Sequence, residues 1–194
     1  MRFVIVQTFV VASALLAGAS ITVACEFVYI SLDGENRIAV YSVDESSGEL
    51  TAVANVKTPS PPGGLTSDPK NRFLYASLRR AGKLASFRIN QDGGLTLINV
   101  VAAGADPAYV ATDRTGRFLL TAYYVAAKVA VHQIGKDGSI SEKPLQEIAT
   151  DIKAHAIMMD ASNRFAFVPH TGPNAIYQFR FDEKTGRLTP NVPL

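Results

Sequence analysis

The sequence predicts an all-β chain built as a β-propeller of four-stranded blades, and three observations carry that reading. A short phrase recurs as Asp68-Pro69-Lys70-Asn71-Arg72-Phe73, Asp113-Arg114-Thr115-Gly116-Arg117-Phe118 and Asp160-Ala161-Ser162-Asn163-Arg164-Phe165, with a worn copy at Phe27-Val28-Tyr29. Its phenylalanines stand at 27, 73, 118 and 165, at intervals of 46, 45 and 47 residues. That is the period of propeller blades; the strands of a β-sandwich do not repeat a whole phrase. Beyond residue 26 the apolar residues alternate with period two, and no stretch keeps a helical period of 3.6.

Each unit carries the same elements in the same order. An apolar run ends in Asp, a polar turn follows, and Arg-Phe opens a second apolar run. The third strand alternates and is rich in β-formers: Arg37–Val43, Lys83–Ile89, Lys128–Ile134 and Ala175–Phe181. Turn chemistry comes next, at Asp44-Glu45-Ser46-Ser47-Gly48, Gln91-Asp92-Gly93-Gly94, Lys136-Asp137-Gly138-Ser139 and Asp182-Glu183-Lys184-Thr185-Gly186, where glycine supplies the positive φ of a tight hairpin. Leu50, Leu95, Ile140 and Leu188 then resume the chain as the fourth strand. Residues 26–194 hold about 3.5 to 4 such units, with repeats at about 27–71, 72–116, 117–163 and 164–194. Propellers close as rings of typically four to eight blades, so the sequence reads as a partial β-propeller, truncated from a larger ring.

The first residues read differently. Arg2 is a short positive region, Phe3 to Leu16 is mostly apolar, and Ala17-Gly18-Ala19 or Thr22-Val23-Ala24 offers a small-residue cleavage site. This is the pattern of a secretory signal peptide over residues 1–24. The run is too short and too polar for a membrane span, which needs about 20 apolar residues. The expectation is a secreted or periplasmic protein with no stable membrane insertion once the leader is cleaved. Cys25 is the sole cysteine, so no intrachain disulfide forms; a lipoprotein attachment there would want an apolar residue where Thr22 stands.

Composition excludes several classes. With 47% apolar and 19% charged residues the chain is globular, and a formal net charge of +2 without any basic run argues against a nucleic-acid partner. The sequence has no nucleophile elbow, no His-Glu-x-x-His, no phosphate loop and no dinucleotide fingerprint. Its three histidines and one cysteine show no zinc spacing.

Hairpin geometry gathers the chemistry at one rim. His155 opens the strand that ends at Asp160, and His170 follows the strand Phe165–Pro169; across the Ser162-Asn163 turn their far ends share one edge. The same mapping places Tyr123-Tyr124 and Arg79-Arg80 at equivalent ends of earlier blades, and makes Gly63 and Ala108 the counterparts of His155. One tyrosine of the pair is expected to pack between blades while the other faces the channel. His132 lies on an alternating strand and is expected at the surface.

Over Asp113–Tyr124, and over Lys153-Ala154-His155-Ala156-Ile157-Met158-Met159-Asp160, the text resembles the lactonase-family seven-bladed propellers. These include the propeller-type 6-phosphogluconolactonases and the carboxymuconate-lactonizing enzymes. The likeness covers residues 27–194, roughly the first half of a family member. Two places depart from the family pattern: Tyr123-Tyr124-Val125 stands where Asn-Tyr-Gly is usual, and Val168-Pro169-His170-Thr171-Gly172 where Val-Pro-Asp-Leu-Gly is common. The resemblance implies a lactone hydrolase that uses water and neither metal nor cofactor. His155 would be the catalytic base, and Arg79, Arg80, Tyr123, Tyr124 and His170 would hold a small anionic lactone or sugar derivative. A non-enzymatic secreted propeller that binds a protein or glycan is the alternative of another class, and a muconate-type cycloisomerase a third.

Overall fold

A computed structural model of the protein describes residues 11–14, 25–104 and 106–192. Their strands form four antiparallel sheets of four strands each, ordered in space as in sequence. The first sheet holds β1 (Val11–Ala14), β2 (Cys25–Leu32), β3 (Arg37–Val43) and β4 (Leu50–Lys57). The second holds β5 (Leu65–Ser67), β6 (Phe73–Leu78), β7 (Lys83–Ile89) and β8 (Leu95–Ala102). The third holds β9 (Pro107–Thr112), β10 (Phe118–Tyr123), β11 (Lys128–Gln133) and β12 (Gln146–Ala149). The fourth holds β13 (Met158–Met159), β14 (Phe165–His170), β15 (Ala175–Asp182) and β16 (Arg187–Pro190).

Each sheet begins one strand ahead of the repeat as counted from its phenylalanine. The Asp-to-Phe phrase is therefore the hairpin between a blade's first and second strands. The signal-peptide reading of residues 1–24 lies outside the described residues except for Val11–Ala14, which pair with Cys25–Val28 as the inner edge of the first sheet.

The recurring aspartate holds that hairpin together. One carboxylate oxygen of Asp68 accepts the backbone N–H groups of Arg72 and Phe73. Asp113 does the same for Arg117 and Phe118, and Asp160 for Arg164 and Phe165. Two amides that the turn would strand without partners are satisfied by one side chain. Positive φ at Asn71, Gly116 and Asn163 lets the chain reverse there.

Buried apolar residues gather into three cores, one between each pair of consecutive sheets. Phe27, Tyr29 and Ile38 meet Leu74, Ala76 and Phe87. Phe73 and Tyr75 meet Leu119 and Ala130, and Leu120 and Val131 meet Val168 and Phe179. Among the described residues no such core joins the fourth sheet to the first, so the four sheets make an open arc. β6 and β10 are buried along their whole length because both faces are covered. β14, at the end of the arc, alternates between half-buried and buried residues.

His132 is corrected by the structure. It is 1% exposed, not a surface residue, because its face of β11 is pressed against the second sheet. The ladder pairs His132 with Leu119 as it pairs Phe87 with Leu74 and Phe179 with Ala166. An imidazole thus fills a place that the neighbouring sheets give to phenylalanine.

Candidate functional site

The site lies where the second, third and fourth sheets meet, at the end of the strands carrying the turns from second to third strand. Arg79 sits in a single 3-10 turn, Arg79–Ala81, that closes β6 onto β7. Tyr124 follows β10, one residue past the last ladder pair. His155 lies in the crossing from the third sheet to the fourth. Backbone bonds draw these segments together: Lys153 N–H donates to the Tyr124 carbonyl (2.7 Å), and His155 N–H donates to the Pro169 carbonyl (2.9 Å). The second sheet repeats the latter bond as Gly63 N–H to Ser77 carbonyl (2.8 Å). That repetition makes Gly63 the counterpart of His155, as the sequence mapping has it.

The phenol ring of Tyr124 is the middle member of a three-part stack. The Arg79 guanidinium lies over it, 5.3 Å from the ring centre. The imidazole of His155 meets it edge-on, with ring centres 5.9 Å apart at 80°. The hydroxyl of Thr171 donates to the Tyr124 oxygen at 3.4 Å. Arg79, Tyr124 and His155 border a shallow cleft of about 110 Å³ together with Gly64, Ala108 and Tyr109. Side chains larger than Gly64 and Ala108 at those places would fill it.

Asp106 sets the electrostatics. Its carboxylate takes the Nε and Nη2 edge of Arg79, the second contact at 3.0 Å. The pairing holds the guanidinium charged and pins its plane against Tyr124. Asp106 adopts φ +57°, a backbone conformation that non-glycine residues seldom take. Among the described residues the imidazole of His155 makes no hydrogen bond, and it stands exposed at the mouth of the cleft.

Three of the six sequence-predicted site residues are brought together, and three are not. Arg79, Tyr124 and His155 share the cleft. Of the tyrosine pair, Tyr124 lines the cleft and Tyr123 packs between sheets, the division expected from the sequence, so only the substrate-binding role given to Tyr123 is corrected: strand parity turns it with Leu119 into the core between the second and third sheets, where it is fully buried beneath the Lys128 ammonium. His170 is corrected for the same reason. It follows Ala166 and Val168 onto the buried face of β14, its Nδ1 is 2.9 Å from the Val168 carbonyl, and its ring lies 4.3 Å from that of Tyr177. Arg80 points to solvent and pairs with Asp33 at 2.8 Å, away from the cleft. Such an exposed pair adds little. The sequence reading missed Asp106 and Tyr109. The dipeptide Asp106-Pro107 ahead of an inner strand is the signal that could have found the carboxylate, since proline fixes where that strand begins.

Comparison with known proteins bears on what this rim belongs to. Residues 34–194 match the family described as "Lactonase, 7-bladed beta-propeller". A 6-phosphogluconolactonase of Bacillus subtilis (strain 168) is 39% identical over 69 residues, which are 35% of this chain and 20% of that protein. Among solved structures, a candidate 6-phosphogluconolactonase from Bacteroides uniformis ATCC 8492 superposes with a TM-score of 0.78 at 17% identity, over 95% of this chain and 54% of that one. A periplasmic gluconolactonase of Pseudomonas aeruginosa gives 0.73 at 17% identity, over 84% and 48%. The chain thus spans about half the length of these solved structures and a fifth of the curated relative. With four sheets of the propeller type and a family match over most of its length, the chain belongs to the lactonase family of seven-bladed β-propellers.

Proposed function

We propose that the rim at Arg79, Tyr124 and His155 serves a lactone hydrolase acting on a sugar-type lactone. The observation that carries the reading is the stack itself: a cation, a phenol and an unbonded imidazole along one wall of an open cleft. His155 takes a proton from water as the oxygen adds to the lactone carbonyl, and the ester C–O bond then breaks. The ring oxygen leaves as an alcohol and takes the proton back. Arg79 keeps Nη1 clear of Asp106 and offers it to an anionic group on the substrate. Tyr124 supplies a flat apolar face for the sugar ring. The cleft is smaller than the 300–1,000 Å³ usual for ligand sites, so it forms one side of the site and leaves most of a lactone outside it.

The test is hydrolysis of δ-lactones followed by pH-stat. His155→Gln is expected to lower turnover by about a hundredfold or more, the ordinary scale for a lost general base. A rate within about twofold of the parent protein would end the enzyme reading.

One observation favours a binding role in its place. Asp106 already occupies the bidentate edge of Arg79, which leaves the cleft with a largely compensated charge. A protein that turns over no lactone yet retains a sugar acid at this rim, and loses it on Tyr124→Ala, would fit that reading.

Export is part of the proposal. Cleavage after Ala19 or Ala24 would remove Val11–Ala14 and leave the first sheet with three strands. Intact mass of the protein recovered outside the cytoplasm decides: a chain still beginning at Met1-Arg2 would refute export with processing.

A further inference from the structure

The crossing from the third sheet to the fourth repeats the backbone of the crossing from the second to the third. Pro107 pairs with Tyr123 at the end of β10, and Ala154 pairs with His170 at the end of β14. The residue ahead of each has positive φ, +57° at Asp106 and +60° at Lys153. Each offers its carbonyl to the residue just past the strand. Tyr124 N–H donates to Asp106 at 3.4 Å, and Thr171 N–H donates to Lys153 at 3.1 Å. Asp106 and Lys153 therefore hold one place on successive sheets, with opposite charges.

That place has a defined reach. Asp106 sends its carboxylate back to Arg79, the first residue past β6. The residue corresponding to Arg79 on the third sheet is Tyr124, the first past β10. Lys153 starts beside it, since its N–H donates to the Tyr124 carbonyl at 2.7 Å. Two residues on stands His155, whose ring meets that of Tyr124. A flexible four-carbon stem rooted there is long enough to bring its ammonium to the mouth of the cleft.

Backbone and charge both set this lysine apart. Positive φ strains a residue that carries a Cβ, so the backbone gives no reason for lysine here. The neighbouring guanidinium groups are taken, Arg79 by Asp106 and Arg80 by Asp33. Lys153 is exposed, and among the described residues it pairs with no carboxylate. The carboxylate of Asp151, two residues before it, accepts the Ile152 N–H at 2.6 Å.

We propose that Lys153 binds the anionic group, phosphate or carboxylate, of the sugar lactone, together with Nη1 of Arg79. This rests on the reading of the rim as a lactone site and adds the residue that selects a charged substrate. The ammonium can follow the anion as a mobile point charge, whereas the guanidinium is fixed against Tyr124. No bond forms or breaks at Lys153, so the residue acts on affinity.

Isothermal titration calorimetry with glucose 6-phosphate, glucuronate and glucose tests the proposal without turnover. The parent chain is expected to bind a charged sugar more tightly than glucose, and the sugar so favoured names the anion. Lys153→Met should weaken that sugar by about tenfold and leave glucose binding and the thermal midpoint as they were. Lys153→Arg should keep the preference. Added salt should weaken the charged sugar on the parent chain and far less on Lys153→Met. A parent that does not separate charged from neutral sugars overturns the proposal. So does a Lys153→Met chain that keeps the full preference, or one that loses glucose and the charged sugar alike. Hydrolysis is read separately by pH-stat, so the rim reading and this proposal fail on different measurements.

Discussion

Phe73 and Gly138 touch so closely that a single added methyl would overlap the ring, with a Cβ on the glycine falling 2.3 Å from a ring carbon. Gly138 also holds φ +89°, where an L side chain is strained. Gly138→Ala therefore meets two costs, a steric one across the second and third sheets and a local backbone one. Loss of about 2–4 kcal/mol is expected, read as a fall in the denaturant midpoint. Gly34, which has open space around a built Cβ and no positive φ, is the matched control. Gly34→Ala should lie within about 0.5 kcal/mol of the parent.

The aspartates of the repeated phrase differ in what surrounds them. Asp113 is fully buried and, beyond its two turn amides, accepts from Thr115 and from Asn163 of the next sheet. Asp160 makes the same turn bonds but is only half-buried at the end of the arc. Removing Asp113 leaves buried donors without partners, whereas water can reach those of Asp160. Asp113→Ala is expected to cost about 3 kcal/mol and Asp160→Ala distinctly less. Equal losses in chemical denaturation would show that burial does not set the difference.

Acid should weaken the fold through His132. Burial is the main cause that lowers its pKa to about 4; Glu147 draws it up and Lys128 pushes it further down. Neither ring nitrogen has a hydrogen-bond partner among the described residues. The unfolded chain takes up a proton near pH 6.5 and the folded chain resists until about 4. The unfolded state thus binds more protons in that window, and stability falls as the pH drops through it. The full effect is on the order of 3 kcal/mol. Replacing the imidazole by the ring that neighbouring sheets carry, His132→Phe, should flatten the stability profile between pH 6.5 and 4. A variant that loses stability as steeply as the parent would assign the acid sensitivity elsewhere.

Much of the fold was legible because its causes are local. Asp, a turn residue tolerant of positive φ, and Arg-Phe specify one hairpin, and their recurrence specified the repeat. The alternating strands Arg37–Val43 and Lys83–Ile89 were readable to the residue. The partners of Phe27, Phe73 and Phe118, which are Gly93, Gly138 and Gly186, were not, since each lies more than 60 residues on and looks like any hairpin glycine. The site was half legible for a related reason. Hairpin topology brings residues to one rim, but strand parity decides which of them face it, and at a strand's last residue it turns Tyr123 and His170 inward. His132 shows the converse error: alternation marks a face as different, and between two sheets both faces are inside.

The last expectation concerns Arg79 and Asp106, whose pairing gives the rim its charge balance. Arg79→Ala should raise KM for a lactone bearing a phosphate by roughly tenfold, the scale of one or two charge-assisted bonds. It should leave a neutral sugar lactone and kcat nearly unchanged, since the lost contact is the same in ground and transition states. Asp106→Gly is the sharper experiment, because the two roles open to Arg79 give opposite signs. The substitution removes the competing carboxylate and relieves a positive φ at the same residue. If Arg79 exists to receive an anion, freeing its Nε and Nη2 edge should tighten binding of the phosphorylated lactone several-fold, with a KM that falls while kcat holds. If Arg79 exists to pin Tyr124, the guanidinium released from Asp106 will swing off the ring, and both lactones will bind more weakly together. Steady-state kinetics on the two substrates, with and without the substitution, separate the cases by direction alone.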